Sequence, residues 1–190
     1  MLVLAGVGLA SGCSGDDRVR PSDSLPPLPS TSATPSPTED APGATGYPLP
    51  EEARAYTPEG ARAFFDYFIA VLNVSALAND PVPLREISQG CDFCDELTQR
   101  YAQAATDGVQ VVGGELVLTS LGDVLLSALG NGAVGAGMAF RAIQRPQQVL
   151  DAAGNSISDT PELQTYGSVD LAWLADRREW LVNSFGLELQ

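Results

Sequence analysis

The chain has no histidine, and all ten of its basic residues are arginine, so lysine is missing as well. The first absence removes Ser-His-Asp and Cys-His catalysis, histidine-ligated zinc and imidazole acid–base chemistry. The second removes Schiff-base formation, the phosphate-loop lysine and the S-x-x-K nucleophile motif. Carboxylate or tyrosine chemistry is what remains open to an active site. Positive charge is scarce: 10 arginines face 24 acids, a net charge of −14 in 190 residues. Such a surface repels phosphate backbones, which disfavours nucleic acid as a partner. Anionic lipid is repelled too, so membrane attachment must rest on something other than a basic patch. Hydrophobic residues make up 44% of the chain, enough for the core of one ordinary domain.

The opening, MLVLAGVGLASGC, holds a short uncharged apolar run from Leu2 to Ala10. A bilayer needs about 20 apolar residues, so this run cannot span one. It fits the hydrophobic region of an export signal. Leu9-Ala10-Ser11-Gly12-Cys13 resembles the lipobox of bacterial lipoproteins, in which small residues precede a cysteine that is lipidated and becomes the mature N-terminus. Cys13 holds the matching position. Leucine is more usual where Ala10 stands, and the basic n-region is reduced to the α-amine, which predicts a start codon upstream of Met1. The resemblance implies a signal segment at 1–12, a thioether-linked diacylglyceryl group on Cys13, and a lipid-anchored location on the outer face of the cell membrane.

Residues 13–46 carry that lipidated cysteine and then SGDDRVRPSDSLPPLPSTSATPSPTEDAPGATG. Proline, serine, threonine, glycine and acids dominate it. Such a stretch cannot bury enough apolar area to offset its chain entropy, and its prolines favour extended segments. It reads as a tether, reaching on the order of 3 Å per residue at most.

Apolar periodicity starts at Tyr47, and 47–190 reads as a single α+β domain. Thr57-Pro58-Glu59 starts a helix: a capping side chain, proline at the first position and an acid against the dipole. Phe64, Phe68, Val71, Leu72 and Ser75 then mark one face, and the helix is expected to end near Asn79-Asp80-Pro81. A turn is expected from Pro83 to Ser88. A second helix is expected from Asp92 to Thr106, with Leu97, Tyr101, Ala104 and Ala105 inward and Gly108 ending it. After Gly108 the pattern becomes strand-like at 109–112, 115–121, 123–129, 135–143, 147–152, 167–174 and 179–185. Turn signals separate these runs, among them Gly113-Gly114, Asn131-Gly132 and Gly154-Asn155. The last two runs predict a hairpin with Trp173 and Trp180 beside its turn. Helices first and an antiparallel meander afterwards place the helices on one face of the sheet.

This order, with the ending DLAWLADRREWLVNSF, resembles the nuclear transport factor 2-like, or cystatin-like, fold. The resemblance implies N-terminal helices packed in the concavity of a curved, cone-shaped antiparallel sheet. TPEGARAFFDYF, Asn73, Asn79-Asp80-Pro81, Gly90 to Cys94 and Gly113-Gly114 together resemble a group of actinobacterial lipoproteins that share a conserved domain of unknown function. That group brings no reaction with it.

Few residues suggest chemistry. GNGAVG at 130–135 matches G-x-G-x-x-G, with Asp151 where a ribose-binding acid would stand. Yet Val134, Ala136, Met138, Phe140 and Ala142 alternate with smaller or polar residues, which is a strand and not the helix a dinucleotide site needs. No calcium loop appears. Neither catalytic residue, cofactor site nor metal site is assigned. Cys91 and Cys94, in SQGCDFCDEL, open the second helix. With Cys13 lipidated and histidine absent, they leave a mononuclear metal site short of ligands. Asp92, Asp95 and Glu96 disfavour a thiolate, and in an exported protein a disulfide between Cys91 and Cys94 is the default. Phe64, Tyr67, Phe68, Tyr101, Phe140, Trp173 and Trp180 either fill the cone or line a pocket in it. If a pocket is open, Tyr67, Tyr101, Asp170, Trp173 and Trp180 are its candidates. Three readings follow. The first is a membrane-tethered, non-enzymatic binding or interaction module whose partner is an envelope protein or a small apolar ligand. The second is a pocket protein or isomerase-like enzyme of the same fold, and the third a thiol-disulfide oxidoreductase.

Overall fold

The computed structural model describes residues 48–128 and 133–189. They fall in one structural unit, Glu39–Gln190. The expected signal segment 1–12, Cys13, the tether 13–46, Tyr47 and the Asn131-Gly132 turn lie outside the described residues.

After a one-turn 3-10 helix, Glu51–Arg54, helix α1 runs from Pro58 to Ala78. Thr57 Oγ1 accepts the Gly60 N–H at 3.0 Å, Pro58 needs no donor at the first position, and Glu59 faces the dipole. Asn79 ends the helix in the left-handed region at φ 51°. Its N–H donates to Ala76 O and that of Asp80 to Ser75 O, so the last carbonyls are satisfied. All five residues of the expected face are buried, and so are Phe65, Tyr67 and Ile69. A helix inside a concavity is covered on more than one side, so one stripe of the 3.6 period does not describe it. By length and hydropathy α1 could also cross a membrane; here that apolarity is spent on the core.

Where a turn is expected, the chain makes a short helix, α2, Val82–Glu86. Asp80 Oδ1 accepts the Val82 N–H at 3.0 Å, and Pro83 sits in the first turn, where its missing donor costs nothing. The following residues are stitched to the sheet by Val182 N–H to Ile87 O and Gln89 N–H to Val182 O, each 2.9 Å. Helix α3, Asp92–Asp107, then ends on Gly108 (φ 67°) with the same carbonyl-closing pattern as α1. Asn79 Nδ2 donates to Val109 O at 2.7 Å, tying the ends of α1 and α3 together. Ala105, expected inward, is exposed; the buried residues of α3 are Cys94 and Thr98.

The strands are β1 (Gln110–Gly113), β2 (Leu116–Leu121), β3 (Leu125–Ala128), β4 (Val134–Gln144), β5 (Gln147–Leu150), β6 (Ser156–Thr160), β7 (Leu163–Leu174) and β8 (Glu179–Leu189). The named strands all pair antiparallel. β1–β2, β4–β5 and β6–β7 are three long strands that bend at one level. The bends fall at Gly114-Glu115, Arg145-Pro146 and Pro161-Glu162. Pairing continues through the bend, with Gly114 N–H to Pro146 O at 3.0 Å and Arg145 N–H to Glu115 O at 2.9 Å. On one side the order is β1-β5-β6; on the other it is β2-β4-β7-β8, with β3 also on β4. Gly113 is required here: its φ is +71°, and a Cβ would stand 2.2 Å from Pro146 O. The sheet is therefore curved, and the helices pack in its hollow, the α+β arrangement expected. β6 (SISDT) has no apolar period, because four of its five residues face solvent whichever way they point, and the sequence carries no signal for it.

Alternation along β4 sends Ala136, Met138, Phe140 and Ala142 inward against α1. Phe65, Phe68, Phe140 and Phe185 form the centre. Phe140 and Phe185 stack at 5.5 Å, and Phe68 meets Phe185 edge-on at 5.1 Å. The terminal hairpin pairs Trp173 with Trp180, 5.0 Å between ring centres.

Candidate functional site

Cys91 is the N-cap of α3, and its Sγ accepts the Cys94 N–H at 3.1 Å. The two cysteines are joined as a disulfide, and both are buried, at 1% and 0% exposure. The sulfurs face the core, where no substrate thiol reaches them. The bridge pins the loop arriving from α2 to the first turn of α3. Phe93 lies between the two cysteines, and its ring rests 5.6 Å from that of Phe185. From Phe93 the spacing i, i+4, i+8 leads to Leu97 and Tyr101, one face of the helix.

That face is one wall of a cleft of about 320 Å³. The opposite wall is Leu72, Asn73 and Ala76 of α1, and the floor is the bent sheet: Val111, Gly114, Leu116, Gln144, Gln147 and Leu187. The bend opens the cleft, because β1 and β5 turn away from β2 and β4 beneath the helices. Two polar groups of the lining are already engaged. Asn73 Oδ1 accepts the Leu116 N–H at 2.8 Å, and its Nδ2 donates to Leu116 O at 3.0 Å. β2 lies at the sheet edge, so Asn73 stands in for a missing strand neighbour. Arg100 is paired with Glu96 one turn back.

Burial raises the Tyr101 phenol to about 12, against a smaller opposing pull from Arg100. At neutral pH it is a neutral donor and no base. Among the described residues lining the cleft there is no carboxylate, and Tyr101 and Arg100 are its ionisable side chains. Asp66, on another face of α1, is raised by burial and lowered in part by Arg62, whose Nη2 donates to Gly122 O at 3.2 Å.

The other candidates do not gather here. Tyr67 and Trp180 line a separate crevice of about 210 Å³ with Leu49, Arg54, Glu86 and Ile87. Trp180 Nε1 donates to Ala55 O at 3.1 Å, and Trp173 packs on Tyr56 and Trp180. Asp170 is exposed on the face of β7 away from the helices, between the inward Val169 and Leu171. Alternation along β7 fixes that placement, so Asp170 does not line the cone. Sequence reasoning overlooked Phe93, Arg100, Gln144 and Gln147. Phe93 shares a helical face with Leu97 and Tyr101, a signal that was there to be used. The glutamines carry none, because their place depends on where the sheet bends.

Fold and cleft define a class: a small α+β domain with its helices in the hollow of a bent antiparallel sheet and an apolar cleft left beside them. The chain belongs to DUF6318, a family of unknown function, whose pattern matches residues 37–183. Among curated proteins none matches the chain in sequence. Solved structures similar to it include the intermembrane space region of the chloroplast protein ARC6, with TM-score 0.47 and 14% identity over 72% of this chain and 99% of that one. A periplasmic fragment of TraM gives 0.42 and 10% over 72% and 100%. Aln2 from a Streptomyces species gives 0.39 and 14% over 70% and 92%.

Proposed function

We propose that this protein is an extracytoplasmic lipoprotein, anchored through lipid on Cys13 to the outer face of the cell membrane, whose domain binds a small apolar ligand without catalysing a reaction. The observation that carries the binding role is the cleft of about 320 Å³ between α1, α3 and the bent sheet. It lies at the small end of ligand pockets, about 300–1,000 Å³. Its lining supports binding over turnover: among the described residues it has neither carboxylate nor histidine, and its phenol titrates far above neutrality. The buried disulfide argues against a thiol oxidoreductase, which needs an accessible, low-pKa sulfur. Support for the anchor comes from the lipobox-like Leu9 to Cys13 and the proline-rich stretch behind it.

The test uses the full chain carrying Cys13→Ala, which leaves the described domain untouched. N-phenyl-1-naphthylamine, an uncharged dye that fluoresces in apolar surroundings, should bind saturably at one site. Leu97→Trp, which fills the cleft from α3, should abolish that binding while the domain stays folded. Unchanged dye binding in Leu97→Trp would move the site elsewhere. Turnover of an ester, or reduction of insulin, would remove the non-enzymatic reading.

A further inference from the structure

Resting on that binding reading, we infer that the cleft selects an uncharged, mainly apolar molecule carrying a hydrogen-bond acceptor such as a carbonyl oxygen, and that Tyr101, Gln144 and Gln147 meet that acceptor. The polar groups of the lining divide into two sets. Asn73 is consumed by the edge of β2, and Arg100 by Glu96. The side chains of Tyr101, Gln144 and Gln147 line the cleft, and no hydrogen bond to them is made by the described residues. They come from three separate elements, α3, β4 and β5, and share one cleft because the sheet bends between Gln144 and Gln147.

All three groups are neutral, and each can donate as well as accept; a carbonyl oxygen, with two lone pairs, can take two of these donors at once, whereas a ligand N–H or O–H proton serves a single acceptor. Apart from Gly114, the rest of the lining carries hydrocarbon side chains, among them Leu72, Phe93, Leu97 and Leu187. A charged head group of either sign would enter without a counter-charge, at a high desolvation cost. Arg100, the cation lining the cleft among the described residues, is paired with Glu96, and the chain's net charge of −14 opposes anions further. Burial that keeps Tyr101 protonated also keeps its hydroxyl a donor across the physiological range.

Three naphthalene dyes separate the possibilities on the full chain carrying Cys13→Ala. 6-Propionyl-2-dimethylaminonaphthalene is uncharged and bears a ketone. N-phenyl-1-naphthylamine is uncharged without a carbonyl. 8-Anilinonaphthalene-1-sulfonate is an anion of similar frame. The ketone dye should bind more tightly than the sulfonate. Tyr101→Phe should weaken the ketone dye about fivefold, the worth of one net hydrogen bond, while the carbonyl-free dye changes less than about twofold. Gln144→Met, which keeps the length and removes the donor, should show the same split. Equal losses for both uncharged dyes would reduce Tyr101 to packing and overturn the inference while leaving the binding site intact. Tighter binding of the sulfonate would overturn it by showing that charge selects. If no dye binds saturably, the binding reading fails first and this inference with it.

Discussion

Asn73 and Ser75 sit two residues apart on α1, and the fold treats them oppositely. The Asn73 carboxamide satisfies both backbone groups of Leu116, whereas Ser75 Oγ is fully buried with no partner among the described residues. An unmade hydrogen bond in the interior costs more than a made one contributes. Asn73→Ala strands two backbone groups and should destabilise the domain by about 2 kcal/mol, read from its urea midpoint. Ser75→Ala removes an orphan and should leave stability unchanged or raise it by up to about 1 kcal/mol. Tyr101 gives a pH signature at the same scale. Its phenol moves from 10.0 to about 12 on folding. A raised acid loses its proton first in the unfolded chain. Stability is therefore unaffected below pH 10, falls as pH rises to about 12, and levels off above, for a total on the order of 2 kcal/mol. Tyr101→Phe should flatten that fall, and the tyrosinate absorbance should lose one late-titrating step, leaving that of Tyr166, which Glu188 also raises.

At the scale of elements, α3 is the least embedded helix, buried only at Cys94 and Thr98, yet it forms a wall of the cleft. It is fixed at its ends: by the disulfide and the Cys91 cap at the start, and by Asn79 bonding Val109 O at the finish. A bridge closing so short a loop contributes at the low end of about 2–4 kcal/mol. The double variant Cys91→Ser, Cys94→Ser should thus fold, with faster amide exchange in the first turn of α3 and little change near Gly108. Uniform exchange along α3 would mean that the bridge does not act locally. Elements were legible where chemistry is local. Thr57-Pro58, Asn79 and Gly108 marked helix ends through their own side chains or φ, and the alternation from Val134 to Ala142 marked β4. β6 and the short helix α2 were not, because one is exposed on both faces and the other is a five-residue turn held by Asp80 at its start and by the burial of Leu84.

For the whole molecule, the site was less legible than the fold for a geometric reason. Tyr101 was found because aromatic residues stand out. Gln144 and Gln147 come together with it only through the bend at Arg145-Pro146, whereas the alternation of Val169, Asp170 and Leu171 already put Asp170 on the face opposite the buried pair. Attachment to the membrane belongs to this scale too. A net charge of −14 gives no electrostatic hold on anionic lipid, and α1, the described helix apolar enough to cross a bilayer, has its hydrophobic face committed to the core. On the proposed reading the acyl chains on Cys13 carry the mature protein's attachment, at about 0.8 kcal/mol per buried methylene, and neither surface charge nor α1 replaces them. Expressed from its natural start in a lipoprotein-processing host, the wild type should sediment with membranes and incorporate an alkyne analogue of palmitate. Cys13→Ala should lose the label, with the domain still folded and still binding dye. A Cys13→Ala protein that still took up the palmitate label would place the lipid on another residue and would sink the lipoprotein reading.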